Sequence, residues 1–212
     1  MKWTTEEIMK MDKFKRINII NSITGIKPAN LIGTRSRSGA TNLAIFTSVF
    51  HMGSKPPFIG MLFRPDKDVR RHTLENIRET RQYTINHVND QIIEQSHYTS
   101  AKFDAGVSEF EGCGFKEEYI EGFSAPFVQE SKIKIGLTLE EEIPISLNDT
   151  IIVVGQIEHI IIEGNCLMEN GYIDLENSQS VGVSGLNSYY SLNKKKDLPY
   201  ARVEEMPDFK AR

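Results

Sequence analysis

The sequence predicts a mainly β protein with short helices, built as a closed or partly closed antiparallel barrel. In the C-terminal half, SKIKIGLTLEEEI alternates apolar and polar residues with the two-residue period of a strand. The segment DTIIVVGQIEHIIIE is rich in β-branched residues, which favour strands. Roughly eight candidate strands cluster toward both ends of the chain and do not alternate regularly with helices, which disfavours a doubly wound parallel sheet.

The elements predicted for the first part of the chain follow from capping residues, apolar runs and turn residues. A short helix is expected at 4–11, where Thr4 or Thr5 can cap it and acidic residues occupy the first turn. The elements that follow are strands at 16–24 and 29–35, a turn at 36–39, a strand or strand-like segment at 39–50, a break at Lys55-Pro56-Pro57 and a strand at 58–63.

The middle of the chain predicts a loop and then alternating helices and strands. Residues 64–72 are polar and charged, which predicts the loop. TLENIRETRQ, at 73–82, predicts a helix because Leu74 and Ile77 lie three residues apart on one face. Further along the chain, the sequence predicts a strand at 83–88, a helix at 89–100 and a short helix at 106–115 that ends in glycines.

The C-terminal half predicts two long strands and a hairpin turn. In the first strand, Ile133, Ile135, Leu137 and Leu139 share one face, and Lys132, Lys134, Thr138 and Glu140 share the other. The second strand, at 149–163, is too long to be flat, so Gly155 is predicted to mark a bulge or bend. Asn170-Gly171 predicts a hairpin turn before 172–174.

Composition limits the class of protein. The 212 residues suit a single domain, with an N-terminal helix at about 1–13 and a polar tail at about 191–212. Hydrophobic content of 39% and charged content of 25% are typical of a globular protein, and no apolar run is long enough for a membrane span. The absence of a signal peptide and the count of two cysteines favour a cytoplasmic location. A net charge of −4 argues against nucleic-acid binding.

The sequence contains no motif for covalent or metal-dependent catalysis. No GxGxxG follows a strand, and there is neither a P-loop nor a GxSxG elbow. The histidines lack HExxH spacing, and Cys113 and Cys166 do not form a metal-ligand pair, so no metal site is predicted. No side chain is therefore predicted to be catalytic.

The segment GATNLAIFTSVF, at 39–50, has the apolar content of a buried strand but carries four polar side chains. These are Thr41, Asn42, Thr47 and Ser48. One interpretation is an ordinary edge strand that contains Thr and Ser. The other is a strand against a flat ligand rich in heteroatoms, to which small Ala44 and Gly39 permit a close approach. The segment alone favours neither.

The segment RRHTLENI, at 70–77, is a candidate phosphate site. A helix that starts at Thr73 presents free N–H groups and the positive end of its dipole, and Arg70 and Arg71 precede it. Arginine binds phosphate through charge-assisted hydrogen bonds. The alternative is a simple helix cap with solvated arginines. A ring surface and a phosphate site together indicate a mononucleotide ligand.

Taken in order, several segments resemble the flavin reductase-like, FMN-binding split-barrel family, which includes flavoredoxin-type proteins. The resemblance covers about residues 14–190 and depends on the order and spacing of the segments. These segments are GATNLAIFTSVF, KPPFIGMLF, HTLENIRETRQYTIN, SAKFDAGVSEFEGCGF, SAPFVQESKIKIGLTLEE and DTIIVVGQIEHIIIEG.

The resemblance implies a split β-barrel that forms a homodimer, with FMN near the subunit interface. It implies that the isoalloxazine ring, rather than water or a neighbouring strand, satisfies the polar groups of 41–48. The residues that would border the ring are Asn42, Ala44, Thr47 and Ser48, and those that would hold the ribityl phosphate are Arg64, Arg71, His72, Thr73 and Asn76. The family often has Lys-Asp-Thr where this chain has Arg71-His72-Thr73.

The resemblance also implies further walls of the site. Ser100 and Lys102 are expected to line the other wall of the site, and Tyr189 and Tyr190 to close it from the end of the barrel.

The implied function is an NAD(P)H:flavin reductase, in which NADH or NADPH reduces FMN and a partner oxygenase or redox protein receives the electrons. One alternative is a flavoredoxin-like protein that retains FMN and transfers electrons to a protein partner. Another is a non-catalytic protein that binds or stores flavin. The sequence does not distinguish NADH from NADPH.

Overall fold

A seven-stranded antiparallel sheet forms the centre of the protein, in a computed structural model that describes residues 1–67, 69–103 and 106–209. The helices are α1 (Thr5–Lys10), α2 (Lys13–Ser22), α3 (His72–Thr80), α4 (Ile93–Tyr98) and α5 (Glu109–Gly112). The strands are β1 (Lys27–Pro28), β2 (Asn30–Arg35), β3 (Thr41–Phe46), β4 (Val49–Ser54), β5 (Pro57–Phe63), β6 (Gln82–His87), β7 (Glu117–Ile120), β8 (Phe123–Val128), β9 (Ile133–Ile145), β10 (Thr150–Ile162), β11 (Val181–Ser184) and β12 (Ser188–Ser191). Single turns of 3₁₀ helix lie at Asp90–Ile92, Gly164–Cys166 and Val203–Glu205.

The order of strands in the main sheet shows how it curls. The sheet runs β3-β2-β6-β9-β10-β5-β4, so β3 and β4 are its two edges. Only Thr47 and Ser48 connect these edge strands in sequence, and the Ser48 carbonyl accepts a hydrogen bond from the Leu62 N–H of β5 at 2.9 Å. A two-residue connection cannot cross a flat sheet of this width, so the sheet is rolled until its edges meet.

Two smaller sheets and two hydrophobic clusters complete the barrel. The strands β1, β11 and β12 form one small sheet, and β7 and β8 form a hairpin. One cluster, which includes Ile32, Tyr83 and Leu137, receives Leu74 and Ile77 from α3. The other lies on the opposite face of the sheet and joins α5 to β11 through apolar contacts. The packing of α3 on β2 and β3 fixes where that helix begins.

Most predicted elements are present, including the first helix, the turn at 36–39, the helices at 73–82 and 89–100, and the long C-terminal strands. Thr4 caps α1 in a capping box with Glu7. The bulge predicted at Gly155 is confirmed by a register shift between Val154 and Gly155. The predicted turn at Asn170-Gly171 is also present, where Leu167 bridges Ile173.

The strand predicted at 16–24 is wrong, because these residues belong mostly to α2. The Asp12 carboxylate caps this helix by accepting hydrogen bonds from the N–H groups of Phe14 and Lys15, both at 3.0 Å. This cap and the following turns outweigh the β preference of the isoleucines in RINII. The helix buries none of its residues, so no core contact opposes that outcome.

The single segment predicted at 39–50 is two strands. Phe46 pairs with Asn30 of β2, whereas Val49 pairs with Met61 of β5, so the chain changes partners at Thr47-Ser48. The prediction also missed the β7–β8 hairpin and the strands β11 and β12. Asp68 of the predicted loop at 64–72, residues 104–105 and residues 210–212 of the predicted tail lie outside the described residues.

Candidate functional site

A cavity of about 730 Å³ opens where the two edges of the sheet meet. The rings of Phe46 and Phe63 pack against each other at this seam with centroids 4.8 Å apart. Of the predicted site residues, the cavity is lined by Asn42, Ala44, Thr47, Ser48, Arg64, Arg71, His72, Thr73 and Ser100. The fold therefore brings these predicted residues together from β3, the connection to β4, the loop after β5, the start of α3 and the segment that follows α4.

The N-terminus of α3 opens on the cavity without a side-chain cap. Arg71 occupies the N-cap position, and its carbonyl accepts the Glu75 N–H at 3.0 Å. The helix begins one residue before the predicted start, and Thr73 does not cap it. The first N–H groups of a helix have no intrahelical partner, so they are available to an anion in the cavity. The Arg71 guanidinium is anchored by a 3.2 Å bond from its Nε to the Pro65 carbonyl.

Two of the four polar side chains in the 39–50 segment have protein partners, contrary to the expectation that a ring satisfies them all. Asn42 donates from Nδ2 to the Thr73 hydroxyl at 3.0 Å. Thr41 bonds to Ser108 at 2.9 Å and donates to Glu117 at 2.6 Å. Among the described residues, the hydroxyls of Thr47 and Ser48 have no hydrogen-bond partner. The hydroxyls of this segment that remain available in the cavity are thus those of Thr47 and Ser48.

The outer edge of β3 is partly covered by α5. Glu109 accepts a hydrogen bond from the Leu43 N–H at 3.0 Å, which satisfies a donor that an edge strand leaves unpaired. Glu109 also lines the cavity, and it is the one carboxylate among the described lining residues.

Positive charge dominates the cavity wall. Lys27, Arg64, Arg70 and Arg71 all line it. Arg70 is paired with Glu75 at 2.7 Å, whereas among the described residues no carboxylate is paired with the other three. Burial lowers the pKa of Lys27, and the nearby charge of Arg64 lowers it further. Such a surplus of cations favours a ligand that carries negative charge.

Some predicted site residues lie outside this lining. Asn76 is buried in α3 and donates to the Thr34 hydroxyl at 3.1 Å, so it positions the helix. Lys102 is exposed and does not line the cavity. Tyr189 lies behind the lining residue His97, with its hydroxyl 3.1 Å from His97 Nδ1, and burial raises the pKa of Tyr189. Tyr190 is half exposed on β12.

The sequence analysis missed one wall of the cavity. This wall contains Asn21 at the end of α2, Lys27 of β1, His97 of α4, Thr99 directly after α4, and Leu186 and Asn187 in the turn between β11 and β12. Lys27 and Asn187 are far apart in sequence, and no local pattern marks either residue. The β1–β11 pairing, Lys27 with Val183, brings them together, and that pairing was not predicted.

Neither a metal cluster nor a membrane helix is found in the described part of the chain. No three His, Cys, Asp or Glu side chains among residues 1–67, 69–103 and 106–209 lie close enough to hold a metal ion. In the same residues, no helix has the length and apolarity that crossing a membrane requires.

Comparison with known proteins shows the family and agrees with the fold. Residues 26–174 match the sequence profile of the flavin reductase like domain, and the chain belongs to this family. A crystal structure from Shewanella frigidimarina, assigned as a flavin reductase with a split barrel domain, is 45% identical with a TM-score of 0.91, and the match covers 95% of this chain and 100% of that one. The predicted split β-barrel is therefore confirmed.

More distant structures share the fold. The 2-nitrobenzoate 2-nitroreductase of Pseudomonas fluorescens is 21% identical with a TM-score of 0.81, and the match covers 99% of this chain and 100% of that one. The flavoredoxin of Desulfovibrio vulgaris is also 21% identical, with a TM-score of 0.72 and coverage of 83% and 92%. Proteins with different named activities thus share this barrel.

Proposed function

We propose that this protein binds FMN in the cavity and acts as an NAD(P)H-dependent flavin reductase. The observation that carries the proposal is the uncapped N-terminus of α3, which opens beside Arg71 on a cavity whose charged lining residues are mostly cations. A helix N-terminus beside arginine is a favourable site for phosphate. Membership of the flavin reductase like family supports the choice of a flavin.

The residues present fit FMN at both of its ends. At the phosphate end, Arg71 and Arg64 supply charge, and the backbone of His72 and Thr73 supplies N–H donors. At the ring end, Ala44 leaves room beside β3, and the unpaired hydroxyls of Thr47 and Ser48 can bond to ring heteroatoms. Phe46 and Phe63 supply apolar surface. A cavity of about 730 Å³ is within the usual size for a cofactor site.

When bound, FMN supplies the acceptor for electrons from NADH or NADPH. The contribution of the chain is to hold and orient the reactants, and no acid or base side chain is required for it. The hydroxyls of Thr47 and Ser48 would stabilise negative charge at the ring. An oxygenase or a redox partner protein is the proposed final acceptor of the electrons.

A visible spectrum of the purified protein with added FMN tests the proposal, followed by anaerobic NADH and then NADPH. Bleaching of the flavin band by either donor is the expected result and identifies that donor. A bound flavin that neither donor bleaches would favour the electron-carrier or storage alternatives. Failure to bind FMN would overturn the proposal as a whole.

Substitution of Arg71 tests the phosphate site. We expect Arg71→Ala to weaken FMN binding by about 1–3 kcal/mol, because it removes a charge-assisted hydrogen bond. Arg37→Ala is the control, since Arg37 bonds to Glu79 near the other end of α3. The dissociation constant for FMN can be measured by quenching of flavin fluorescence. Equal constants for the wild type and Arg71→Ala would remove Arg71 from the site.

We also propose that the protein is a homodimer. Support comes from α2, which buries no residue in the single chain and exposes Phe14 and Ile20. The edge strand β4 likewise exposes Phe50 and Met52. Apolar surface of this kind is typical of faces that associate. Sedimentation equilibrium measures the state directly, and a monomer at micromolar concentration would contradict it.

A further inference from the structure

Lys27 is a cation of the cavity wall that FMN does not require. Its ammonium donates to the carbonyls of Asn21 and Gly185, both at 2.9 Å. An ammonium has three N–H donors, so this cradle leaves one donor uncommitted. Lys27 lines the cavity, and the wall on which it lies is built from the end of α2, β1 and the β11–β12 turn. The proposed phosphate site lies on another wall, at the start of α3.

Among residues 1–67, 69–103 and 106–209, no carboxylate pairs with the Lys27 ammonium. The phosphate of FMN carries up to about two negative charges. Arg64, Arg71 and the N-terminus of α3 already match that charge. Glu109, the one carboxylate among the described lining residues, bonds to the Leu43 N–H on β3. Burial and the nearby like charge of Arg64 both lower the pKa of Lys27.

We propose that Lys27 is an anion subsite for a phosphate group of the second substrate, which enters the cavity beside the bound flavin. The inference rests on the proposed function, because it assumes that FMN occupies the α3 wall. Asn187, from the β11–β12 turn, lines the same wall and adds a polar side chain to the subsite. A nicotinamide dinucleotide carries such phosphates, whereas its reacting ring carries none.

The chain offers a matched control for Lys27. Lys132 also has its ammonium held by oxygen acceptors, the Gln179 amide at 2.6 Å and the Asn177 carbonyl at 3.5 Å. Lys132 does not line the cavity. Lys132→Met therefore removes a similar lysine anchor without touching the proposed subsite. Lys27→Arg keeps the positive charge at the subsite itself.

The test uses the full FMN-loaded protein and two probes that lack the nicotinamide ring, ADP-ribose and 2′-phospho-ADP-ribose. Isothermal titration calorimetry measures their binding to the wild type, Lys27→Met, Lys27→Arg and Lys132→Met. We expect Lys27→Met to weaken binding by roughly tenfold or more, as loss of a charge-assisted bond does. Lys27→Arg should recover much of the loss, and Lys132→Met should bind as the wild type does.

The two probes distinguish the source of the phosphate. An equal loss for both in Lys27→Met assigns the subsite to the pyrophosphate, and a loss for 2′-phospho-ADP-ribose alone assigns it to the 2′-phosphate. A kinetic measurement adds a second readout. With 1-benzyl-1,4-dihydronicotinamide, a donor without phosphate, Lys27→Met should keep the KM of the wild type. An equal rise in KM for charged and uncharged donors would show a structural role only and overturn the subsite.

Binding of FMN separates this inference from the proposed function. Lys27→Met is expected to bind FMN within about twofold of the wild type, because a twofold change is well below the loss of one charged hydrogen bond. Substantially weaker FMN binding would place Lys27 at the flavin phosphate and overturn the subsite. A wild type that binds FMN but neither probe would overturn the subsite alone. A wild type that does not bind FMN would overturn both proposals.

Discussion

Gly155 makes room for the buried hydroxyl of Tyr83. The residue lies at a register shift of β10 and faces the Tyr83 ring of β6 across the barrel interior. A Cβ at this position would lie 2.0 Å from the Tyr83 hydroxyl and 2.8 Å from the ring carbon that bears it. The hydroxyl has no hydrogen-bond partner among the described residues, and burial raises the pKa of Tyr83.

We predict that Gly155→Ala destabilises the protein by about 1–3 kcal/mol, because the fully buried Tyr83 has no space into which it can move. Urea unfolding followed by circular dichroism measures the change. Gly164→Ala is the control, since a Cβ at Gly164 meets nothing within 4 Å. Equal stability of the two variants would contradict the predicted clash.

At the level of single residues, the sequence predicted the site where local chemistry marks it. Arg71 and Thr73 stand at a helix start, and Thr47 and Ser48 interrupt an apolar run, so each has a signal in its neighbours. Lys27 has no such signal. It reaches the cavity because β1 pairs with β11, a contact between residues more than 150 positions apart in sequence.

Helix α3 is held on the sheet by two buried hydrogen bonds between side chains. Asn42 of β3 donates to Thr73, and Asn76 donates to Thr34 of β2 at 3.1 Å. The Thr73 bond lies at the start of the helix and the Asn76 bond at its middle, next to the apolar contacts of Leu74 and Ile77. The bonds fix the helix N-terminus with respect to the strand that lines the cavity.

We predict that Asn42 and Thr73 are coupled by about 1 kcal/mol in a double-mutant cycle of Asn42→Ala and Thr73→Val, as expected for one hydrogen bond. Denaturant unfolding of the wild type, both single variants and the double variant gives the coupling. Asn42→Ala with Thr80→Val is the control pair, because Thr80 lies at the far end of α3 and bonds to the Asn76 carbonyl. The effects of this second pair should simply add. An equal coupling in both pairs would mean that the measured term is not the Asn42–Thr73 bond.

At the level of elements, the sequence predicted those whose pattern and caps agree. The alternation of β9 and the apolar spacing of α3 each specify one structure. For α2, β-branched residues point to a strand while the Asp12 cap points to a helix, and the cap prevailed. The hairpin of β7 and β8 was not predicted. Its Glu118 pairs with Lys134 of β9, and Lys134 is buried. In the sequence, a lysine at this position of an alternating strand indicates a face exposed to solvent, so nothing there predicts that a hairpin covers it.

At the scale of the whole molecule, His87 links stability to pH. His87 ends β6, where its Nδ1 lies 3.3 Å from the Ser180 hydroxyl, and burial lowers the pKa of its imidazole to about 4. In the unfolded chain the pKa of histidine is about 6.5. Between these values the unfolded state binds more protons than the folded state, so the free energy of unfolding rises with pH.

We predict that the wild type loses on the order of 2–3 kcal/mol of stability between about pH 6.5 and pH 4 through this group, and that it retains the full contribution above pH 6.5. His87→Gln should flatten the dependence in that window. His51→Gln is the control, since His51 is exposed on β4. Urea midpoints across the pH range measure the effect, and parallel curves for the wild type and His87→Gln would contradict it.

The hydrogen bond from Lys27 to the Gly185 carbonyl spans 158 positions of the chain. Lys27 is synthesised long before Gly185, so the wall that they form cannot close before the β11–β12 turn has been made. A nascent chain that already contains β2 to β10 thus has all seven strands of the main sheet but lacks this wall of the cavity. Closure of this wall therefore follows synthesis of α3 and of the strands that form the other walls of the cavity.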